Sequence, residues 1–73
     1  MNRLRELRTL KKCTQINVQM NTGIDQSEYS KMERGERQPT YEQCQALALF
    51  YNTSMDYIAG LTDIKEPYPR SKK

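Results

Sequence analysis

The chain contains no histidine and no tryptophan, and it has two cysteines, three glycines and three prolines among its 73 residues. Histidine is the commonest general base and the commonest metal ligand, so its absence removes the side chain that enzymes and zinc sites use most. Two cysteines without histidine cannot supply the four ligands of a structural zinc site. We therefore expect no enzymatic activity, no metal site and no cofactor.

The sequence also lacks long apolar runs, and none approaches the length of about 20 residues that a membrane-spanning helix needs. The first eight residues, MNRLRELR, are too charged for a secretory signal peptide. Cys13 and Cys44 fall at apolar positions of a helical pattern, which favours two small buried side chains over a disulfide. These absences predict one small cytoplasmic domain that does not contact a membrane and has no room for a separate effector domain.

The net charge of +3 is spread unevenly along the chain. Residues 1–12 carry +4 and the last twelve residues carry +2, whereas residues 13–39 carry −1 and residues 40–61 carry −2. Positive side chains attract the phosphates of nucleic acids. Any such attraction is therefore expected mainly from the beginning and the end of the chain.

Apolar spacing and capping residues predict five helices. The first covers about residues 2–11 and places Leu4, Leu7 and Leu10 on one face. Thr14 is a suitable N-cap for the second, because its hydroxyl can accept a hydrogen bond from a free N–H of the first turn. The second helix then ends before a glycine turn.

The third helix is predicted between Asp25 and Gly35. Asp25 serves as N-cap, and Glu28, three residues later, completes a pattern like a capping box. Gly35 suits the left-handed backbone that often ends a helix. Two helices joined by so short a glycine turn must cross steeply, which pushes the third outward, where it can enter a DNA groove.

The fourth helix is predicted to begin after Thr40, which forms a second capping-box pattern with Gln43, and to end at Asn52. Its apolar residues recur at steps of three and four: Tyr41, Cys44, Leu47, Ala48 and Tyr51.

A short fifth helix follows, with Ser54 as its cap and Gly60 at its end. Beyond it the chain contains two prolines, several basic residues and no apolar period. Residues 1–61 are therefore expected to form the folded domain, and residues 62–73 a basic tail that is extended or disordered.

Several short motifs, in their order and spacing, resemble the helix-turn-helix domain of Cro and the phage repressors, also called the xenobiotic response element family. The resemblance covers roughly residues 3–61. It implies an all-α, compact five-helix bundle in which helices two and three form the helix-turn-helix. The residues that carry it are Leu4, Leu7 and Arg8, then Thr14 and Gln15, Gly23 and Ile24, Met32 to Gly35, and Pro39 and Thr40.

The resemblance implies a sequence-specific DNA-binding transcriptional regulator, with repression as the expected mode. The third helix would lie in the major groove of double-stranded DNA, and the protein would occlude a promoter or operator as a homodimer. The fifth helix and Leu61 are the expected dimer contact.

The resemblance also assigns roles to individual residues on the exposed face of helix three and around it. Base contacts are expected from Gln26, Ser27 and Lys31, because glutamine can bond bidentately to adenine and lysine can bond guanine. Arg8 and Glu33 match an ion pair that joins helix one to helix three, so we assign them to structure. Contacts with the DNA backbone are expected from Gln15, Ser30, Arg34, Arg37, Thr40 and Tyr41.

Helix two departs from the family pattern. Gln19 stands where a small residue is usual, and Ile16 and Met20 fall where the family exposes charged residues. Either the helix is rotated to bury these two side chains, or they form an exposed apolar pair, which we favour. An exposed pair would suit a protein partner. The alternative functions are therefore a protein-interaction module that has lost DNA reading, or the antitoxin of a toxin and antitoxin pair.

Overall fold

Five α-helices surround one apolar core in the computed structural model of the protein, which describes residues 2–69. Within these residues the chain contains no strand, so the predicted all-α five-helix bundle is confirmed. No helix of this part of the chain is long and apolar enough to cross a membrane. The helices are α1 (Leu4–Lys11), α2 (Gln15–Thr22), α3 (Gln26–Glu33), α4 (Tyr41–Tyr51) and α5 (Met55–Ala59).

The predicted N-caps of α2 and α4 are confirmed, and each forms a full capping box. The Thr14 hydroxyl accepts a hydrogen bond from the Asn17 N–H at 3.1 Å, and the Asn17 side chain accepts one from the Thr14 N–H at 3.0 Å. Thr40 and Gln43 repeat this exchange at 3.1 and 3.0 Å. These bonds satisfy N–H groups that have no partner inside the helix, and thereby fix where α2 and α4 begin.

Three details of α1 and α4 differ from the sequence prediction. Helix α1 begins at Leu4, because Asn2 lies outside the helix and its side chain bonds elsewhere. The Asn2 carboxamide accepts a hydrogen bond from the Leu4 N–H at 3.0 Å and donates one to the Met32 carbonyl at 2.8 Å. Leu10 was predicted on the buried stripe but is 57% exposed, and Tyr41, predicted on the stripe of α4, is 70% exposed. Both lie at helix ends, beyond the edge of the core.

The core lies where α1, α2, α3 and α4 meet, and α5 closes it from the side of α4. Tyr29 and Tyr51 are buried inside it with their hydroxyls 2.6 Å apart, so each phenol has a polar partner. Burial raises the pKa of Tyr51 to about 12 and raises that of Tyr29 further, which keeps both neutral. Cys13 and Cys44 are half-buried free thiols packed against this core. Its buried apolar residues are Leu4, Leu7, Val18, Ile24, Tyr29, Met32, Leu47, Ala48, Tyr51, Tyr57 and Ile58.

The end of the described chain is tied to the helices. The hydroxyl of Thr53 donates to the carbonyl of Lys65 at 2.6 Å, and the hydroxyl of Tyr68 donates to the carboxylate of Asp56 at 2.6 Å. Residues 62–69 of the predicted tail lack helical structure and are tethered to the helices by these two bonds. The rest of that predicted tail, residues 70–73, lies outside the described residues.

The turn between α2 and α3 depends on Gly23, whose φ of +79° lies in the left-handed region. An added Cβ would contact nothing within 4 Å, so the cost of a side chain there is conformational and not steric. We expect Gly23→Ala to lower the free energy of unfolding by about 1 kcal/mol, and Gly23→Asn to cost less, because asparagine tolerates this conformation. Urea denaturation of both variants measures the difference; equal losses would contradict this explanation.

Candidate nucleic-acid interface

Helices α2 and α3 are joined by three residues, Gly23, Ile24 and Asp25. Ile24 is buried and anchors the turn in the core. Asp25 caps α3 as predicted: its carboxylate accepts from the Ser27 N–H at 3.1 Å and from the Ser27 hydroxyl at 2.5 Å. The predicted capping box with Glu28 is not formed, because the Glu28 carboxylate turns away to the Arg37 guanidinium, 2.6 Å distant.

Gln19 explains how α2 accommodates a large residue where the resembling family has a small one. Its side chain is exposed, and its carboxamide oxygen accepts a hydrogen bond from the backbone N–H of Gln26 at 2.8 Å. This N–H opens α3 and has no partner inside the helix. Gln19 therefore lies over the beginning of α3 and adds a polar contact there.

Helix α2 is not rotated to bury its apolar pair. Ile16 is 52% exposed and Met20 is 76% exposed, whereas Val18 between them is fully buried. Of the two arrangements that the sequence leaves open, the structure has the exposed one. Helix α2 carries no charged residue, so this pair lies on an uncharged helix face.

The three side chains expected to contact bases differ in their surroundings. Ser27 and Lys31 are exposed, and Tyr29 and Met32 are buried on the opposite side of α3, as predicted. The ammonium of Lys31 forms no hydrogen bond or ion pair with any residue in the range 2–69. Gln26 is half-buried, since its carboxamide is bonded to a neighbour on α2.

That neighbour is Gln15, the first residue of α2, and it links Gln26 to an ion pair beneath the surface. The amide nitrogen of Gln26 donates to the Gln15 carboxamide oxygen at 2.7 Å, and the Gln15 amide nitrogen donates to the Glu33 carboxylate at 3.1 Å. The Glu33 carboxylate is also held by Arg8 through two bonds, at 2.6 and 3.2 Å. Hydrogen bonds thus form one network that runs from α1 to the exposed face of α3 through Arg8, Glu33, Gln15 and Gln26.

The ionised carboxylate of Glu33 lies at the centre of this hydrogen-bond network. Its side chain is only 3% exposed. Burial alone would raise its pKa, but the hydrogen bonds from Arg8 and Gln15 and the positive charge of Arg8 outweigh burial and hold the pKa of Glu33 below its usual value. Glu33 therefore accepts hydrogen bonds and donates none at neutral pH.

The two arginines expected to contact the DNA backbone are both engaged with carboxylates. Arg34 bonds Glu36 at 2.9 and 3.2 Å and donates to the Ser30 hydroxyl at 2.7 Å. Arg37 pairs with Glu28 at 2.6 Å. Each side chain of the two pairs is more than a quarter exposed, so phosphate oxygens could replace the carboxylates. As long as the pairs are formed, they lower the positive potential at this edge of the protein.

Thr40 and Tyr41, the remaining expected backbone contacts, lie at the beginning of α4. The Thr40 hydroxyl is used as the N-cap of α4. Tyr41 is exposed, and its hydroxyl has no hydrogen-bond partner in the described range. Sequence reasoning missed the contributions of Gln19 and Glu28. The departure of Gln19 from the family pattern was a signal for the first, whereas the spacing of Glu28 from Asp25 predicted a capping bond that does not form.

Comparison with known proteins agrees with this architecture. The model of the family described as helix-turn-helix, of the Cro and C1 type, matches residues 4–58. The chain is also similar to the uncharacterized HTH-type transcriptional regulator YobD of Bacillus subtilis (strain 168), with 38% identity over 65 residues. That alignment covers 89% of this chain and 58% of the relative, so the chain spans little more than half of the relative's length. No solved structure matches the chain.

Proposed function

Because the chain belongs to the helix-turn-helix family of the Cro and phage-repressor type, we propose that it is a transcriptional regulator that reads double-stranded DNA with α3. Helix α3 would enter the major groove, and the bound protein would occlude a promoter or operator as a repressor. Such a protein would act in the cytoplasm. The similarity to a relative described as an HTH-type transcriptional regulator supports this proposal.

The observation that carries the proposal is the fixed carboxamide of Gln26 in the first turn of α3. The carboxamide of a glutamine that only faces solvent would rotate freely. The Gln26 carboxamide is instead bonded to Gln15, which is bonded to the buried carboxylate of Glu33. Side chains that contact bases must be held in a defined geometry before binding. Ser27 and Lys31 lie exposed on the same face and would complete the contact with the bases.

Backbone contacts would surround this reading face. The beginning of α2, at Gln15, presents free N–H groups that favour an anion such as a phosphate. Ser30, Arg34, Arg37, Thr40 and Tyr41 would contact the backbone on the other side of α3, and these contacts would set the register without reading sequence. Arg34 and Arg37 would first have to exchange a carboxylate for a phosphate.

Removing the partner of Arg37 tests this exchange. We expect Glu28→Gln to strengthen duplex binding about threefold to tenfold at low salt, because it removes a negative charge beside the DNA and frees a cation. It should also make the slope of log K against log salt more negative by about 0.9, the effect of one additional phosphate contact. Fluorescence anisotropy at several salt concentrations measures both quantities.

Glu66→Gln is the matched control, because it removes the same charge from an exposed residue of the segment 62–69. It should change the affinity by less than about twofold and leave the salt slope unaltered. Equal effects of the two variants would mean that only net charge matters, and would contradict a specific Arg37 contact.

A second copy of the chain would extend the reading surface. A single module of this size gives modest affinity, so we propose a homodimer on a pseudo-palindrome whose half-sites lie about 34 Å apart, one helical turn. Helix α5 and Leu61, which is 78% exposed, would supply the contact between copies. Sedimentation velocity with and without the duplex distinguishes a preformed dimer from one that assembles on DNA.

The exposed pair of Ile16 and Met20 favours a second candidate function, a protein-interaction module or an antitoxin-type protein. In both cases the apolar face of α2 would bind another protein. An interaction module would have lost DNA binding, whereas an antitoxin would combine protein binding with DNA binding. Binding of a duplex that weakens steeply as salt rises supports the DNA-reading function. Binding that is absent at low salt would contradict it and favour the interaction module.

The experiment that tests the proposed function is selection from a randomised pool of duplexes by the purified chain, followed by anisotropy with the enriched sequence and a scrambled one. A reader of DNA enriches a short sequence and binds it at least about a hundredfold more tightly than the scrambled duplex. Recovery of unenriched DNA would overturn the proposal.

A further inference from the structure

A cavity of about 300 Å³ lies between α4, the beginning of α5 and the segment 62–69. Leu49 contributes to its wall from α4, and the run of Pro67, Tyr68 and Pro69 contributes from the segment. None of the described residues that line the cavity is charged. Its volume is at the lower end of the range for sites that bind small molecules. The cavity is therefore large enough to hold a small ligand.

Three hydroxyl groups belong to the described lining of this cavity, and each is already used within the protein. The Thr53 hydroxyl donates to the Lys65 carbonyl at 2.6 Å, and the Tyr68 hydroxyl donates to the Asp56 carboxylate at 2.6 Å. The Ser54 hydroxyl is used as the N-cap of α5. Water is held well only where it finds two to four polar partners. Water in this cavity finds few, so its displacement by an apolar ligand is favourable.

The segment 62–69 has room to adjust to a ligand. A second cavity, of about 270 Å³, is lined by the same run of Pro67, Tyr68 and Pro69 and extends to Ile64. These three residues thus border open space in two places and are not packed tightly between neighbours. They can shift toward α4 when a ligand fills the first cavity, and can enclose it further.

The lining indicates which kind of molecule would displace the water. Leu49 and Met55 supply aliphatic surface, and the side chain of Tyr68, which is 62% exposed, supplies an aromatic ring. Aromatic rings pack favourably against one another in offset or edge-to-face arrangements. An ion would lose its hydration here without gaining a partner of opposite charge among the described lining residues. The cavity therefore suits an uncharged aromatic molecule.

We propose that this cavity is a binding site for a small, uncharged aromatic molecule, which packs against the ring of Tyr68 and the side chains of Leu49 and Met55. The site lies toward the end of α4 and at the beginning of α5. The side chains proposed to contact DNA lie instead on α2, on α3 and from Arg37 to the beginning of α4. The cavity is therefore a second site, and its ligand binds whether or not α3 reads DNA.

Titration of the isotope-labelled chain with indole, an uncharged aromatic molecule, tests the site without DNA. The backbone amides of Leu49, Met55 and Tyr68 should shift along one saturating curve in NMR spectra, with a dissociation constant of about 1 mM or less. Indoleacetate carries the same ring with a carboxylate, and it should bind at least about tenfold more weakly. Shifts that do not saturate, or equal binding of the two compounds, would overturn the proposal.

Substitutions of two equally exposed leucines locate the binding. Leu49→Glu introduces a charge into the cavity and Leu49→Trp fills it, so both should weaken indole binding at least about tenfold. Both variants should fold, because Leu49 is 56% exposed, and Leu49→Trp keeps the side chain apolar. Leu10→Glu and Leu10→Trp are the matched controls, since Leu10 is 57% exposed and does not line this cavity. They should bind indole within about twofold of the wild type. Unchanged binding in both Leu49 variants, or an equal loss in the Leu10 variants, would overturn the proposal.

Discussion

Replacing Gln26 with alanine is expected to weaken binding to the enriched duplex by about 10-fold to 100-fold, because a good bidentate contact contributes about 1–3 kcal/mol of discrimination. The fold should survive, since Gln26 is half-buried and contributes its side chain to no part of the apolar core. Binding to a scrambled duplex should change little, because the substitution removes no charge. Anisotropy with the enriched and the scrambled duplex measures both effects.

The control for Gln26→Ala is Gln45→Ala, an exposed glutamine on α4. It should leave the affinities for both duplexes within about twofold, as expected of a surface substitution away from any special contact. If the two variants weaken binding equally, or if Gln26→Ala weakens both duplexes alike, Gln26 does not read a base.

Glu33→Ala is expected to lower the free energy of unfolding by about 3 kcal/mol, because removing one partner of a buried pair leaves the other charge without compensation. Here the loss would affect the Arg8 guanidinium and the Gln15 amide, which both donate to this carboxylate. A domain of this size has only about 5 kcal/mol of stability or little more. Urea denaturation should therefore show that Glu33→Ala retains only a small free energy of unfolding.

Glu36→Gln is the comparison for Glu33→Ala. The pair of Glu36 with Arg34 is about half-exposed on both side chains, so its loss should cost less than about 1 kcal/mol. The pH dependence gives a second observable. Since the folded pKa of Glu33 lies below its usual value of about 4.3, its contribution to stability is present above that pH and is lost as the pH falls through the folded pKa. A Glu33→Ala loss as small as that of Glu36→Gln would contradict a structural role for this ion pair.

Most helix boundaries could be predicted from the sequence because short polar residues mark them locally. Thr14, Thr40 and Ser54 each cap the helix that follows, and these bonds involve partners only three residues away. The left-handed turns at Gly23 and Gly35 are equally local, since glycine adopts this conformation without strain. The buried residues of α3 follow from helical periodicity alone.

What could not be predicted depends on partners that are distant in sequence or on competing local bonds. Helix α1 begins at Leu4, later than predicted, because the Asn2 side chain bonds Met32, thirty residues away. Glu28 has two suitable bonds within reach, a capping box with Asp25 and an ion pair with Arg37, and the structure has the ion pair. The spacing of residues along the sequence does not reveal which of these two bonds Glu28 forms. The same limit applies to Gln15, whose link between Gln26 and Glu33 requires the crossing of α2 and α3.

The central claim, that α3 and the beginning of α2 form a DNA-reading surface, is tested most directly by NMR titration of the isotope-labelled chain with the enriched duplex at low and then moderate salt. We expect the backbone amides of Gln15, Gln26, Ser27 and Lys31 to shift together, and the shifts to fade as salt rises. Shifts confined to residues of α1 or α5, or to Ile16 and Met20, would contradict the claim.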